Sequence, residues 1–154
     1  MKRRPGGQFR FLWCVAAATV LTGCRGGPPG EWSQAELQSW RLAAIPGSGT
    51  LAAPVPTLKF SGDGRAVGST GVNRWFAPYR ADAAGPGSLT FGSAGVTRMA
   101  AASASLAQQE LKFLEVLSRI DGYRLRDQRL ELTSGRETVL ILVADEPEDP
   151  TGSR

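Results

Sequence analysis

Cys24 stands directly behind Leu21, Thr22 and Gly23, in a chain of 154 residues that holds two cysteines and no histidine. A thiol in that place, behind the smallest residue and at the end of an apolar run, can be alkylated on sulfur to a thioether. No other side chain could carry that bond. Other chemistry is sparse. Without histidine, Ser-His-Asp and Cys-His catalysis and imidazole metal sites are excluded. Asp121, Asp127 and Glu131 lie among arginines and read as surface ion pairs, not as a general acid and base. The glycine-rich stretch SGDGRAVG, residues 61–68, fits neither G-x-G-x-x-G nor a P-loop with its Lys-Ser/Thr ending, so it reads as a turn. No cofactor and no enzyme activity are expected.

The residues ahead of Cys24 explain its position. Lys2, Arg3, Arg4 and Arg10 precede FLWCVAAATVLT, residues 11–22, a short apolar core followed by small Gly23. That order describes a secretory signal peptide over residues 1–23. The apolar run falls short of the about 20 residues that span a bilayer. The Leu-Thr-Gly-Cys ending resembles the bacterial lipobox, which implies cleavage before Cys24 and a diacylglyceryl group, with palmitate-type chains, on its sulfur. The partner expected at this end is therefore a membrane. Arg25 follows, where an Asp would signal retention in the inner membrane. The expected address is the cell envelope, and in a two-membrane cell the outer membrane facing the periplasm.

Removing the leader changes the charge. The 18 Lys and Arg against 14 Asp and Glu give a net charge of +4. Four of those cations and no acid precede Cys24, so the chain from Cys24 onward is formally neutral. A nucleic-acid partner calls for a cationic surplus, and that class is set aside. Cys14 leaves with the leader and Cys24 is spent on lipid, so the folded part has no thiol for a disulfide, a nucleophile or a metal. Residues 24–38, with the Gly- and Pro-rich RGGPPGEWSQ, read as a flexible tether whose about 14 residues span roughly 20 Å. Residues 145–154 gather Asp145, Glu146, Glu148 and Asp149 between prolines and read as a solvated acidic tail.

Between them, residues 39–144 form one domain dominated by strands. Trp40 and Leu42 share a face, Leu58 and Phe60 alternate, SGDG turns, and Val67 returns. Leu89 and Phe91 alternate, as do Leu130 and Leu132, and TVLILV is apolar on both faces, as a central strand is. One segment has helical period. In SLAQQELKFLEVLSRIDG, residues 105–122, Leu106, Phe113, Val116, Leu117 and Ile120 make one stripe, with Leu114 beside it. Ser105 and Gln108 fit a capping box, Gly122 a C-terminal stop, and Glu115–Arg119 an i, i+4 pair. The polar side is mixed in charge, which favours core packing over a membrane-surface helix. The predicted class is α+β: a curled antiparallel β-sheet, a half or cracked barrel, wrapped on one amphipathic helix.

This order of elements resembles the META domain family, which includes HslJ-like heat-shock lipoproteins. The similarity rests on Trp40 and Leu42 in W-x-L, on PTLKFSGDGRAVGSTGVNRW, on FAPY with Tyr79, and on TRMA at 97–100. It continues through Glu110, Phe113 and Leu117 of the helix and the L-x-L at Leu130 and Leu132. The family's two cysteines are replaced by Val72 and Ala101, so no redox pair carries over. The resemblance implies a non-enzymatic envelope lipoprotein with a part in stress response or drug tolerance. Two modes of action follow: an interaction module for an envelope protein, or a carrier of a hydrophobic ligand between sheet and helix. The surface expected to serve either is Asn73, Arg74, the aromatics Trp75, Phe76 and Tyr79, and Arg98, with core packing as the plain alternative reading of the aromatics. Asn73 is expected to be structural at a turn in αL geometry, Arg98 a partly exposed ion-pairing residue, and Met99 a core residue.

Overall fold

Alternation builds this sheet: every second side chain along a strand is apolar, so all the strands can turn one face to a common interior. The computed structural model describes residues 31–81 and 87–145. In chain order these form α1 (Glu31–Leu37), β1 (Ser39–Ala44), β2 (Thr57–Ser61), β3 (Arg65–Ser69), β4 (Arg74–Ala81), β5 (Leu89–Phe91) and β6 (Gly95–Val96). Then follow α2 (Ala104–Leu117), β7 (Gly122–Arg126), β8 (Arg129–Ser134) and β9 (Glu137–Ala144). The sheet runs β5-β4-β3-β2-β1-β9-β8-β7, with β6 also on β4, and each pairing is antiparallel.

The two ends of this path meet. Tyr123 N donates to Gly87 O at 2.8 Å, Leu89 N to Asp121 O at 3.3 Å, and Ser88 bridges Gly122. The backbones are close enough that a Cβ on Gly122 would lie 2.7 Å from both Gly87 O and Thr133 Oγ1. Gly122 is thus a seam residue of β7 and not the stop of the helix. The result is a nearly closed antiparallel barrel with α2 packed against it, the α+β class expected.

The interior holds Trp40, Leu42, Leu58, Phe60, Ala66, Trp75, Ala77, Leu130, Leu132, Leu140 and Leu142 from the strands. Leu106, Phe113, Val116 and Leu117 of α2, with Ile120 beyond it, complete the core as the helical period predicted. β9 lies between β1 and β8, the central place its doubly apolar pattern called for. The hairpin register is set by the turn. The loop after β2 has three residues and ends on Gly64 at φ 79°, which sets Ser61 opposite Arg65 and Phe60 opposite Ala66. Ala66 therefore points inward, and Val67 lies opposite Phe76 on the outer face. The helix cap differs from expectation: Ser103, not Ser105, is extended at φ −151° and accepts from Leu106 N at 3.3 Å. At the other end Ser118 is the cap, its N–H donating to Leu114 O.

The larger departure is α1. Residues 31–37 fall within the stretch read as tether, yet they form a helix whose Trp32 sits among three rings. Trp32 lies 4.9 Å from Phe60, 4.9 Å from Tyr123 and 5.7 Å from Tyr79, centroid to centroid. Ala35 is fully buried and its carbonyl accepts from Trp40 Nε1 at 2.9 Å. The helix plugs one mouth of the barrel, where it brings β2 and β7 under one indole. Residues 1–23, the Cys24–Gly30 stretch and the tail from Glu146 lie outside the described residues.

Truncating the plug should be costly. Trp32→Ala is expected to lower unfolding free energy by about 2–4 kcal/mol in urea, the scale for deleting a large aromatic from a packed site. An unchanged midpoint would mean that α1 only rests on the barrel.

Candidate functional site

Asn73, at the turn between β3 and β4, is only 4 % exposed, and a buried carboxamide must find partners for two donors and an acceptor. It finds all of them. Its Oδ1 accepts from Thr97 Oγ1 at 2.9 Å and from Met99 N at 2.7 Å. Its Nδ2 donates to Met99 O at 3.2 Å and to Glu110 Oε1 at 3.0 Å. Thr70 closes the ring: its Oγ1 donates to Glu110 Oε1 at 2.6 Å and receives Asn73 N at 2.8 Å. One side chain so joins the β3–β4 turn, the segment after β6 and helix α2. The structural role expected of Asn73 is the one found, but not in αL geometry, since the positive-φ non-glycine residues described are Asp127 and Gln128.

The other expected surface residues do not form one patch. β4 has strict alternation, so Trp75, Ala77 and Tyr79 point inward while Arg74, Phe76, Pro78 and Arg80 point out. Trp75 packs edge-on against Phe113 at 5.6 Å, and its Nε1 donates to Thr57 O at 3.1 Å. Tyr79 Oη donates to Glu36 Oε1 at 2.5 Å, with Ser61 O as a second, longer acceptor of the same proton at 3.3 Å. Burial, then the hydrogen bond and charge of Glu36, hold that phenol well above its ordinary pKa, so it is a neutral donor at the plug. Phe76 alone of the three aromatics is a surface residue, 55 % exposed. Arg98 is exposed, and among the described residues no carboxylate pairs with it, contrary to the ion pair expected. Met99 is 66 % exposed, not core: its backbone is held by Asn73, which turns the side chain outward.

Sequence reading missed Gln109. It lies inside the apolar stripe of α2, between Leu106 and Phe113, and a polar residue there was the available signal. Its Oε1 accepts from Ala52 N at 2.8 Å and its Nε2 donates to Ala52 O at 3.0 Å, which ties the β1–β2 loop to the helix. Glu36 and Trp32 were missed because they sit in the presumed tether. Glu115 does pair with Arg119 at 3.5 Å, and with Lys112 at 3.1 Å, and the nearby ammonium lowers its pKa.

The space between sheet and helix, where a hydrophobic ligand was envisaged, is taken up by Trp75, Phe113, Val116 and Leu117. An open cleft of about 500 Å³ remains at its rim, lined in part by Phe91, Val96, Leu114 and Ser118. Among the described residues no three His, Cys, Asp or Glu side chains gather as a metal site. No described helix is long and apolar enough to cross a membrane.

Comparison with known families matches the META domain over residues 34–147. That match begins inside α1, in keeping with the helix being part of the fold. A protein from Burkholderia xenovorans, solved by NMR, is 25% identical with a TM-score of 0.58, over 92% of this chain and 99% of that one. A second NMR structure is 22% identical with a TM-score of 0.56, over 76% of this chain and 94% of its own. A comparison with curated proteins gives no match.

If the carboxamide is a latch, its geometry should be unforgiving. Asn73→Asp sets a carboxylate against Glu110 and Met99 O, and should cost about 3 kcal/mol or more in urea unfolding at neutral pH. Asn73→Ala should cost about 2–3 kcal/mol by leaving partners unmet. Stabilities equal to the parent's would show the network to be incidental.

Proposed function

The chain belongs to the META domain family, and from that premise we propose that it is an envelope lipoprotein, anchored through Cys24, whose domain acts by contact and not by catalysis. The observation that carries this reading is how the shared polar residues are used. Asn73, Thr97 and Glu110, the groups best placed to meet a ligand, are turned toward one another and fully engaged. What remains outward on the segment after β6 is Arg98 and Met99, both exposed. Such a set suits recognition of another envelope component. A part in stress response or drug tolerance rests on the family resemblance, and an outer-membrane, periplasm-facing location on Arg25.

The anchor supports the reading through the run FLWCVAAATVLTG and the thiol behind it. A filled interior favours the interaction module over the carrier.

Replacement of Cys24 by Ser should leave an unprocessed precursor, seen as a larger band and a loss of detergent-phase partitioning. A normally matured protein would remove the anchor from the account. Photo-crosslinking in cells from positions 98 and 99 should recover a dominant envelope partner, and Arg98→Glu should reduce its capture from position 99. Diffuse crosslinks indifferent to that change would count against a contact module.

A further inference from the structure

Outward positions on β1 to β4 are Ser39, Arg41, Ala43, Thr57, Lys59, Ser61, Arg65, Val67, Ser69, Arg74, Phe76, Pro78 and Arg80. Five are cations and none is an acid. Arg41 has a long contact, 3.9 Å, with Asp145, and Asp63 in the β2–β3 loop accepts from the backbone N of Arg65 at 3.2 Å. Among the described residues no carboxylate pairs with Lys59, Arg65, Arg74 or Arg80. The four strands are about 14 Å across, and Arg74 to Arg80 spans about 20 Å. Neighbouring charges thus sit within about one or two Debye lengths and repel. The fold gains nothing from this arrangement.

Phe76 stands in the middle of the face. Its ring lies over Gly95, where a Cβ would come within 2.4 Å of Phe76 Cζ, and it is opposite Val67. The acids described elsewhere belong to α1, α2, the β2–β3 loop, β7–β9 and their connections, so the asymmetry is between faces of the barrel.

We propose that this convex face lies against a bilayer surface of anionic phospholipid. Each cation near such a surface contributes about 1 kcal/mol, and a single exposed aromatic suits the headgroup level. Diffuse cations on four strands match a diffuse negative layer better than a compact acidic peptide. The proposal rests on the Cys24 anchor for proximity. Seven residue steps separate Cys24 from Glu31, a reach of at most about 25 Å. α1 then packs on Phe60 and Tyr79, inner residues of the strands that carry the face. With the anchor fixing the protein to the membrane, the face fixes which way the barrel lies.

The test uses the processed protein purified from cells and reconstituted in phosphatidylcholine vesicles, with or without about one-third phosphatidylglycerol. A fluorophore is placed through Val67→Cys on the face or Gln108→Cys on the exposed side of α2, with a headgroup-quencher lipid present. Quenching at position 67 should exceed that at 108 by about threefold on anionic vesicles, and the difference should vanish in about 0.5 M salt. Lys59→Glu with Arg74→Glu should abolish it while leaving the urea midpoint equal or higher. Equal quenching at both positions, or a preference indifferent to phosphatidylglycerol and salt, overturns the proposal. So does capture of an acidic envelope protein by this face without lipid-dependent quenching. Intact mass of the same sample reads the anchor separately. An unlipidated sample that sediments with anionic and not neutral vesicles still supports the face, and one that sediments with neither overturns it.

Discussion

A single carboxamide holds together a strand turn, the segment after β6 and a helix. The turn after β3, the strand-less stretch after β6 and helix α2 all reach Asn73, and every donor and acceptor of that side chain is used. Because the site is buried, each of these bonds would be expensive to leave unmade. The consequence spreads outward. With α2 held by Glu110 at one point and by Gln109 at the next, Phe113, Val116 and Leu117 are set against Trp75 and the core. With β4 held at its start, its alternation is fixed along its whole length, so Arg74, Phe76 and Arg80 must face out.

Closure at the opposite edge completes the constraint. Gly87, Ser88 and Gly122 bring β5 and β7 together by a few backbone contacts, where a Cβ on either glycine would not fit. α1 then seals a mouth with Trp32 and draws Tyr79 into a hydrogen bond with Glu36. The polar side chains of Asn73, Gln109 and Tyr79 are thus spent on holding the barrel together. Its interior is filled by side chains, which leaves the outer faces and the open clefts at their rims for contact.

Much of this was legible in the sequence, and the misses have particular causes. Period two in β1, β2 and β8 and the helical stripe from Leu106 to Ile120 gave the α+β class and most of the core. The family resemblance singled out Asn73, but not its bonds to Thr97, Met99 and Glu110, which join segments far apart in sequence. α1 was not legible, because Gly and Pro just before Trp32 masked a helix of seven residues that is stabilised by tertiary contact with Phe60 and Tyr123. Which of Ala66 and Val67 points inward was not legible, because loop length, not hydrophobicity, decides strand parity. Trp75, Phe76 and Tyr79 looked like one aromatic cluster, but adjacent strand residues face opposite ways. Formal neutrality from Cys24 onward hid the cationic face for a related reason: a sum over the chain cannot see that acids lie on other elements.

Hydrogen exchange of the native protein, residue by residue, tests the latch most directly. If the carboxamide network is part of the closed fold, the amides of Asn73 and Met99 should exchange as slowly as Tyr123 at the seam and Leu142 in the central strand, through global opening alone. Fast exchange of Asn73 and Met99, with Tyr123 and Leu142 still protected, would show a locally open site there and contradict the account.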